Sequence, residues 1–391
     1  MSDRMSVTLQ SAKSAQYCFS APGRTELSGN HTDHQHGRVL AAAVNLEMRA
    51  QVSANERNTL CVRSEGFGTV EIDLNDLAMR ESEKNTTAAL VRGIATRFTQ
   101  NGAALSGLDI SVTSTVLPGS GLSSSAAFEV LIGTILNHLF CGGKYSPVEI
   151  AQIGQWAENT YFGKPCGLMD QTASSVGGII SIDFADPANP VVEKLDFDFS
   201  TCGHALCIID SGADHADLTE EYAAITREMK AVAALFGKEV LRDVDEREFY
   251  ARLPEIRSSC GDRAVLRAMH FFAENERVRL QVRAIKNDDF GAFLNYVTES
   301  GRSSWMLLQN VIPTGSKAHQ DVAFALTLAE RILNGRGAVR VHGGGFAGTI
   351  QAFVPNDMLT SFKEEIERIL GAGSCHVLSI RQQGGCLVEE A

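Results

Sequence analysis

A loop rich in glycine and serine, residues 117–127, constrains the fold of this chain more than any other segment. It follows the apolar, strand-like run 108–116 and precedes residues 124–140, whose apolar side chains recur at helical spacing. Such a strand–loop–helix unit can direct several backbone N–H groups and the positive end of a helix at an anion. The loop therefore predicts a phosphate site, and a tight turn with serine caps is the alternative that it leaves open. The candidate residues are Gly119, Ser120, Gly121, Leu122, Ser123, Ser124 and Ser125.

Several known classes of protein do not match this loop. A Walker loop needs Gly-Lys followed by Ser or Thr, and none of the three Gly-Lys pairs in the chain meets that requirement. A dinucleotide fingerprint needs a glycine where Ser124 stands, and the protein-kinase catalytic motifs are missing. His342 and the three glycines after it resemble the oxyanion loop of hydrolases, but no serine lies in the required G-x-S-x-G pattern. A hydrolase is therefore the weaker hypothesis.

The order of predicted elements indicates an α+β protein in two parts. Short apolar runs punctuated by glycine and asparagine dominate the first half, and long helical stretches follow before strands return near the C-terminus. One helix is predicted together with its start, because Ser146 and Glu149 form a capping box, and we expect it to reach about Tyr161. We expect the two parts to comprise residues 1–195 and 196–391.

Charge and composition exclude several partners. The chain has 35 Lys and Arg against 47 Asp and Glu, a formal charge of −12 that would repel a nucleic-acid backbone. No run reaches the roughly 18 apolar residues of a membrane span, and residues 1–17 lack the apolar core of a secretory signal. The nine cysteines are scattered without a C-x-x-C motif, which indicates reduced thiols. We expect a cytoplasmic protein without nucleic-acid or membrane partners, and a monomer.

A polar segment between two predicted strands, residues 21–37, concentrates groups that donate and accept hydrogen bonds. Asp33 can accept from two neighbouring hydroxyls, while Asn30 and His31 can each donate or accept. This set suits a polyhydroxylated ligand better than a metal, because Mg²⁺ prefers oxygen ligands and structural Zn²⁺ more often uses cysteine. A polar turn with solvated histidines remains the alternative.

Two further carboxylates need a context before they indicate chemistry. Taken alone, Asp170 is more typical of a helix cap, and Glu158 of a solvated residue on the capping-box helix. Their order along the chain, relative to the other motifs, supplies that context.

Four segments, in order, resemble the motifs of the GHMP small-molecule kinases. They read GRTELSGNHTDH, LPGSGLSSSA, GLMDQ and HGGGFAG, where the family has G-R-V-N-L-I-G-E-H-T-D-Y, P-L-G-A-G-L-S-S-S-A, G-I-M-D-Q and T-G-A-G-F-G-G. The first is most similar to the motif of the galactokinases within this family, and the four together span most of the chain. The resemblance implies a domain like the second domain of ribosomal protein S5, then a ferredoxin-like domain, with the active site between them.

The resemblance also implies a role for each motif in an ATP-dependent sugar 1-kinase. Asp170 would be the catalytic aspartate and Arg24 its electrostatic partner, because phosphoryl transfer needs positioning and charge neutralisation more than covalent chemistry. Ser125 and Glu158 would hold Mg²⁺, and residues 119–125 would bind the phosphates of ATP. The sugar site would be lined by Asn30, His31, Thr32, Asp33 and Tyr222.

The sequence departs from the family pattern mainly in the sugar motif. Asn30 stands where the family has Glu, Glu26 where it has Asn, and His34 where it has Tyr. The family's glutamate is expected to face C6 of galactose, so a neutral Asn30 would no longer repel a carboxylate there. We therefore expect phosphorylation of the anomeric hydroxyl of galactose. Galacturonate or another sugar is the alternative substrate, and a non-catalytic sugar sensor is the alternative function.

Overall fold

The computed structural model describes residues 16–66, 68–117, 120–213 and 218–390. The strands are β1 (Tyr17–Ser28), β2 (Arg38–Ala54), β3 (Thr59–Ser64), β4 (Thr69–Asp73), β5 (Leu108–Ser114), β6 (Ile179–Asp183), β7 (Val191–Leu195), β8 (His204–Asp210), β9 (Ala338–Val341), β10 (Thr349–Pro355), β11 (Cys375–Leu378) and β12 (Cys386–Glu390). The α-helices are α1 (Thr87–Gln100), α2 (Ser124–Cys141), α3 (Pro147–Ala157), α4 (Met169–Val176), α5 (Thr219–Ala234), α6 (Glu246–Ala251), α7 (Leu253–Cys260), α8 (Asp262–Lys286), α9 (Phe290–Ser303), α10 (Asp321–Leu333) and α11 (Leu359–Leu370). Two π-helical turns, Glu158–Phe162 and Ser304–Leu308, continue α3 and α9.

The first sheet is built around the long antiparallel hairpin of β1 and β2. Its strand order is β12-β1-β2-β5-β3-β4, and β6 also pairs with β2 and β7 with β6. From Phe19 onward every residue of β1 is buried, and α2 and α4 both contact this strand. Residues 24, 25 and 26 pair regularly with β2, so the side chains of Arg24 and Glu26 project to the same face.

Helix α2 is the central helix of the first sheet's core. By length and composition it is the one described helix that could cross a membrane. All residues of the range Ala126–Asn137 are buried in the protein, and their apolar side chains pack with those of β1 and α1. The apolar character of α2 is therefore explained by its place in the core.

The second sheet is antiparallel, with the order β11-β8-β10-β9. Successive side chains of β8 point to opposite faces of the sheet, so the two faces pack against different helices. Cys207 and Ile209 pack with α10 and α11. Leu206 and Ile208 share a core with α8, α9 and residues of the first sheet. This shared core fixes the two sheets against each other and places the C-terminal part of β1 near β9 and the loop that follows it.

The α+β class predicted from the sequence is confirmed, and so is the capping box of Ser146 and Glu149. The capping-box helix ends at Ala157, where the π-helical turn that contains Glu158 begins. Strand β12 returns to pair with β1, so the C-terminal end of the described chain lies in the first sheet. Apart from this strand the sheets separate between β7 and β8, and the division at residue 195 stays a prediction.

Candidate active site

A paired arginine and aspartate join three motifs that are distant in the sequence. Arg24 in β1 donates from Nε and Nη2 to the two carboxylate oxygens of Asp170, at 2.7 and 2.6 Å. Its Nη1 donates to the carbonyl of Gly121, and its backbone N–H donates to the carbonyl of Leu122 at 3.0 Å. The sugar motif, the glycine–serine loop and the first turn of α4 therefore meet at one point.

Asp170 is ionised and partly open. Burial alone would raise the pKa of its carboxyl, but the charge and hydrogen bonds of Arg24, with a hydrogen bond from Ser123, hold the pKa below its ordinary value of 3.8. The Asp170 side chain is 31% exposed and that of Arg24 only 9%, so the aspartate presents the accessible side of the pair. Leu168, not Asp170, occupies the N-cap of α4. The reading of Asp170 as a helix cap is therefore wrong.

The glycine–serine loop leads into α2 in a conformation that leaves backbone donors free. Ser123 and Gly121 have positive φ angles of 54° and 71°, and no side chain of the described residues caps the start of α2. The first N–H groups of a helix have no partner within the helix, so the amides of Ser124 and Ser125 remain available to an anion. Gly119 lies outside the described residues, and the other predicted loop residues are all at this helix start.

Two buried carboxylates share one amide beside this loop. Nε2 of Gln171 donates to Glu129 and to Glu158, at 2.9 Å in both cases. Burial and then the Glu158 carboxylate raise the pKa of Glu129 well above its usual value. Its Oε1 is buried without a hydrogen-bond partner among the described residues.

This donor set fits a hard cation. Glu129 lies one helical turn after the predicted ligand Ser125 on α2, and its carboxylate shares the Gln171 amide with the second predicted ligand, Glu158. No group of three or more His, Cys, Asp or Glu side chains with metal-site geometry occurs among the residues that the structure describes. The donors are hydroxyl and carboxylate oxygens, which Mg²⁺ prefers.

The glycine-rich loop of the last motif forms a wall against the sugar motif. Its carbonyl groups at 343, 344 and 345 accept hydrogen bonds from Asn30 Nδ2 at 2.7 Å, His31 Nε2 at 2.9 Å and the hydroxyl of Tyr222 at 2.9 Å. Burial lowers the pKa of His31, so the ring is neutral at pH 7 and donates through Nε2. The structure thus brings three of the five predicted sugar-site residues to this loop.

Two predicted sugar-site side chains are turned into the protein. The amide of Asn30 is 1% exposed, and besides the loop contact it donates to Glu26 and accepts from Ser304 and Asn310. The hydroxyl of Thr32, which is 0% exposed, is bonded to backbone carbonyl groups. The geometry therefore gives both side chains a positioning role, in contrast to the expected contact with the sugar, because no amide or hydroxyl group is left for a ligand.

Asp33 keeps its carboxylate at the mouth of the site. Oδ1 accepts from the backbone N–H of His34 at 2.8 Å. A Cβ atom at Gly167 would lie 2.3 Å from Oδ2 of Asp33, so a side chain at that position would require the Asp33 carboxylate to move. Burial, reinforced by the nearby charges of Glu26 and Asp170, raises the pKa of Asp33 to about 6. Asp33 is thus a carboxylate near the Arg24–Asp170 pair, and it forms no salt bridge with an arginine of the described chain.

Helix α8 supports the sugar motif, although no sequence motif marks it. Oε1 of Glu274 accepts from the backbone N–H groups of Gly29 and Asn30, at 3.0 and 3.4 Å. Burial would raise the pKa of Glu274, but the charges of Arg277, His270 and Arg340, with a hydrogen bond from Ser300, together lower the pKa to about 2. His270 Nε2 donates to the carbonyl of Asn30 at 2.9 Å. Only the three-dimensional contact reveals these residues, since in the sequence they are ordinary members of a long helix.

His342 connects the two sheets through a chain of hydrogen bonds. Its ring nitrogens lie 3.0 Å from the Thr25 hydroxyl and 2.9 Å from the Thr349 hydroxyl, and the latter donates to the carbonyl of Ser120. Burial and then the positive charge of Arg24 lower the pKa of His342 to about 3. The ring is therefore neutral at pH 7 and bridges the last motif, β1 and the glycine–serine loop.

An apolar cavity of about 240 Å³ opens beside the start of α2. Ser124 and Ser125 line it together with Met48, Leu90, Phe128 and Phe162. No sequence pattern indicates this lining, because its members come from separate elements. A larger cavity of about 780 Å³ lies between α9, α10 and β9 and contains none of the residues described above.

Comparison with known proteins places these motifs in a family. Residues 10–54 match the galactokinase galactose-binding signature, and residues 89–178 match the GHMP kinases N terminal domain. The galactokinase of Glaesserella parasuis serovar 5 is 32% identical over 366 residues, which cover 90% of this chain and 88% of that protein. The galactokinase of Streptomyces coelicolor is 30% identical over 336 residues, covering 85% of this chain and 82% of that protein.

Solved structures agree on the fold. Lactococcus lactis galactokinase, crystallised with galactose, superposes with a TM-score of 0.80 at 23% identity, covering 99% of this chain and 98% of that chain. The mevalonate kinase of Methanococcus jannaschii superposes with a TM-score of 0.66 at 13% identity, covering 93% and 98%.

Proposed function

The chain belongs to the galactokinases of the GHMP kinase family, and from this premise we propose that it transfers the γ-phosphoryl group of ATP to the anomeric hydroxyl of galactose. The observation that carries the proposal is the bidentate contact of Arg24 with Asp170, beside the glycine–serine loop that precedes α2. It puts an ionised carboxylate, a fixed positive charge and free backbone donors at one place. Phosphoryl transfer requires this combination.

In this proposal Asp170 acts on the sugar hydroxyl. Its carboxylate is ionised at neutral pH because of Arg24, so it accepts a hydrogen bond from the attacking hydroxyl and is the acceptor placed for the proton. Arg24 holds the carboxylate by two hydrogen bonds and supplies positive charge near the transferred group. Asp33 and His31, two of the predicted sugar-site residues, orient the sugar in this proposal.

ATP is the phosphoryl donor that the family uses, and this chain offers it two adjoining surfaces. The N–H groups of Ser124 and Ser125 receive the phosphates, as residues 119–125 were expected to do. The apolar cavity of about 240 Å³, with Phe128 and Phe162 in its wall, takes the nucleoside because it opens beside those serines.

Ser125 and Glu158 hold Mg²⁺ in this proposal, with Glu129 and Gln171 behind them. The support is the buried, unpartnered Oε1 of Glu129 and the shared amide of Gln171. When bound, Mg²⁺ neutralises charge on the β- and γ-phosphates. Gln171 fixes the orientation of Glu158 by its hydrogen bond.

One chain contributes every group named here. We therefore propose that the protein acts as a monomer. We also propose that it acts in the cytoplasm. The catalytic groups favour an enzyme over a sugar sensor, because Arg24 and Asp170 form a complete pair that binding alone would not require.

The test is ADP release by the purified protein with a panel of neutral sugars and sugar acids, each with ATP and Mg²⁺. We expect galactose-dependent ADP release that is lost in Asp170→Asn. If no sugar stimulates ADP release, the protein is not a sugar kinase, and the sensor alternative is favoured when galactose still binds.

A further inference from the structure

Two side chains of the sugar motif have exchanged places relative to the family pattern. The family has Asn and then Glu at the positions of Glu26 and Asn30, whereas this chain has Glu and then Asn. The two side chains are in contact, with Asn30 Nδ2 donating to Glu26 Oε1 at 3.2 Å. The exchange therefore keeps one amide and one carboxylate in the same contact and moves the negative charge to β1.

Glu26 is held with one oxygen satisfied and the other available. Oε1 also accepts from Nη2 of Arg340 at 2.6 Å, and this arginine is fully buried. Oε2 has no hydrogen-bond partner among the described residues, and protein atoms do not enclose it completely. The residue as a whole is only 5% exposed. A nearly buried carboxylate oxygen in this state is suited to accept a hydrogen bond from a ligand.

The neighbours of Glu26 identify the space that this oxygen faces. Glu26 projects to the same face of β1 as Arg24. Its charge acts on Arg24, on His31 and on Asp33. These three residues surround the sugar site, so the available oxygen of Glu26 belongs to that site.

We propose that Glu26 is a specificity-determining residue, which accepts a hydrogen bond from a hydroxyl of a neutral sugar and repels the carboxylate of the corresponding sugar acid. The inference rests on the proposed function and adds the substrate class to it. Arg24 and Arg340 are each paired with another carboxylate, and neither forms a salt bridge with Asp33. An anionic sugar would add a further negative charge beside these carboxylates, with both of these arginines already engaged.

A neutral Asn30 does not by itself predict that galacturonate is accepted, because position 30 is not the only place in this contact that can carry a negative charge. The amide of Asn30 is saturated by protein atoms, and its nearest carboxylate is that of Glu26. The negative charge removed from position 30 is therefore present four residues earlier, in contact with the same amide.

The experiment compares kcat/KM for galactose and galacturonate in the full-length protein and in Glu26→Gln. Loss of a hydrogen bond to a charged group predicts that kcat/KM for galactose falls about 10- to 100-fold, while the galacturonate-to-galactose ratio rises at least about tenfold. Glu83→Gln is the matched control, because it removes the partner of another buried arginine, Arg92, outside the sugar site. It should leave the ratio unchanged.

The double exchange Glu26→Asn with Asn30→Glu protects the test against a folding defect. Glu26→Asn alone leaves Arg340 unpaired, and Asn30→Glu alone brings two carboxylates into contact. The double variant again has one amide and one carboxylate in this contact. We expect the double variant to recover kcat/KM for galactose to within about threefold of wild type, with both single variants well below it. If wild type phosphorylates galactose but Glu26→Gln leaves the substrate ratio unchanged, the inference fails and the proposed function stands. If wild type phosphorylates no galactose, the proposed function itself fails.

Discussion

Replacing Asp33 by asparagine should stabilise the protein while removing its activity. The carboxylate of Asp33 is held in the folded protein with a pKa of about 6, against an ordinary value of 3.8, and burial is the largest cause. A rise of this size corresponds to a cost of up to about 3 kcal/mol in the folded state, at about 1.4 kcal/mol for each pH unit. The amide introduced by Asp33→Asn would keep an oxygen that accepts from the His34 N–H and would carry no charge.

The sign of the pH dependence follows from the two pKa values. Above pH 6 the carboxyl is ionised in both the folded and the unfolded chain, so the folded state carries the full cost. Between pH 6 and about 4 the folded protein takes up the proton first, and the cost declines. Below about pH 4 both states are protonated and the cost is absent. The free energy of unfolding of Asp33→Asn should therefore be higher than that of wild type at about pH 7 to 8. At about pH 3.5 the two free energies should be equal.

Urea unfolding followed by circular dichroism, at several pH values, measures this difference. Asp357→Asn is the matched control, because Asp357 pairs with Arg336 at the exposed surface, where loss of a salt bridge changes stability little. Activity should respond in the opposite sense. In wild type kcat/KM for galactose should fall as the pH drops through about 6, since a protonated Asp33 accepts fewer hydrogen bonds. If Asp33→Asn is no more stable than wild type at about pH 7.5, the buried charge of Asp33 does not destabilise the folded protein.

Three further variants test separate parts of the site. Asp170→Asn should lower kcat by about 10²- to 10⁴-fold with a native circular dichroism spectrum, and near wild-type turnover would remove Asp170 from the mechanism. Glu158→Gln should raise the Mg²⁺ concentration needed for half-maximal rate, and both proteins should be inactive in excess EDTA; an unchanged metal requirement would contradict the ligand assignment. Phe128→Ala should raise KM for ATP and leave KM for galactose unchanged, whereas the reverse pattern would place the nucleoside elsewhere.

The fold class, and the segments that bring Arg24 and Asp170 together, could be predicted from the sequence because each is marked by a short local pattern. The spacing of apolar residues after Ser124 defines a helix, and the glycines before it define the turn that precedes it. Arg24 and Asp170 are identified by the order of short motifs, which resemblance to a family makes specific. The contact between them is possible because β1 packs against α2 and α4.

The orientation of Asn30 could not be predicted, because it depends on partners from a distant part of the chain. Its amide accepts from Asn310 and Ser304, and Glu274 holds its backbone. None of these partners has a sequence signal, and the return of β12 to the first sheet is equally non-local. Glu129 is different, since its position one turn after Ser125 on a predicted helix could have indicated a second carboxylate at the cation site.

The central claim is that this chain transfers a phosphoryl group from ATP to the anomeric oxygen of galactose. The most direct measurement is phosphorus NMR of a reaction of the wild-type protein with ATP, Mg²⁺ and galactose. We expect one sugar phosphate, galactose 1-phosphate, identified by coupling of its phosphorus to the anomeric proton and formed in equal amount to ADP. Phosphate attached at C6, or ADP accompanied only by inorganic phosphate, would contradict it.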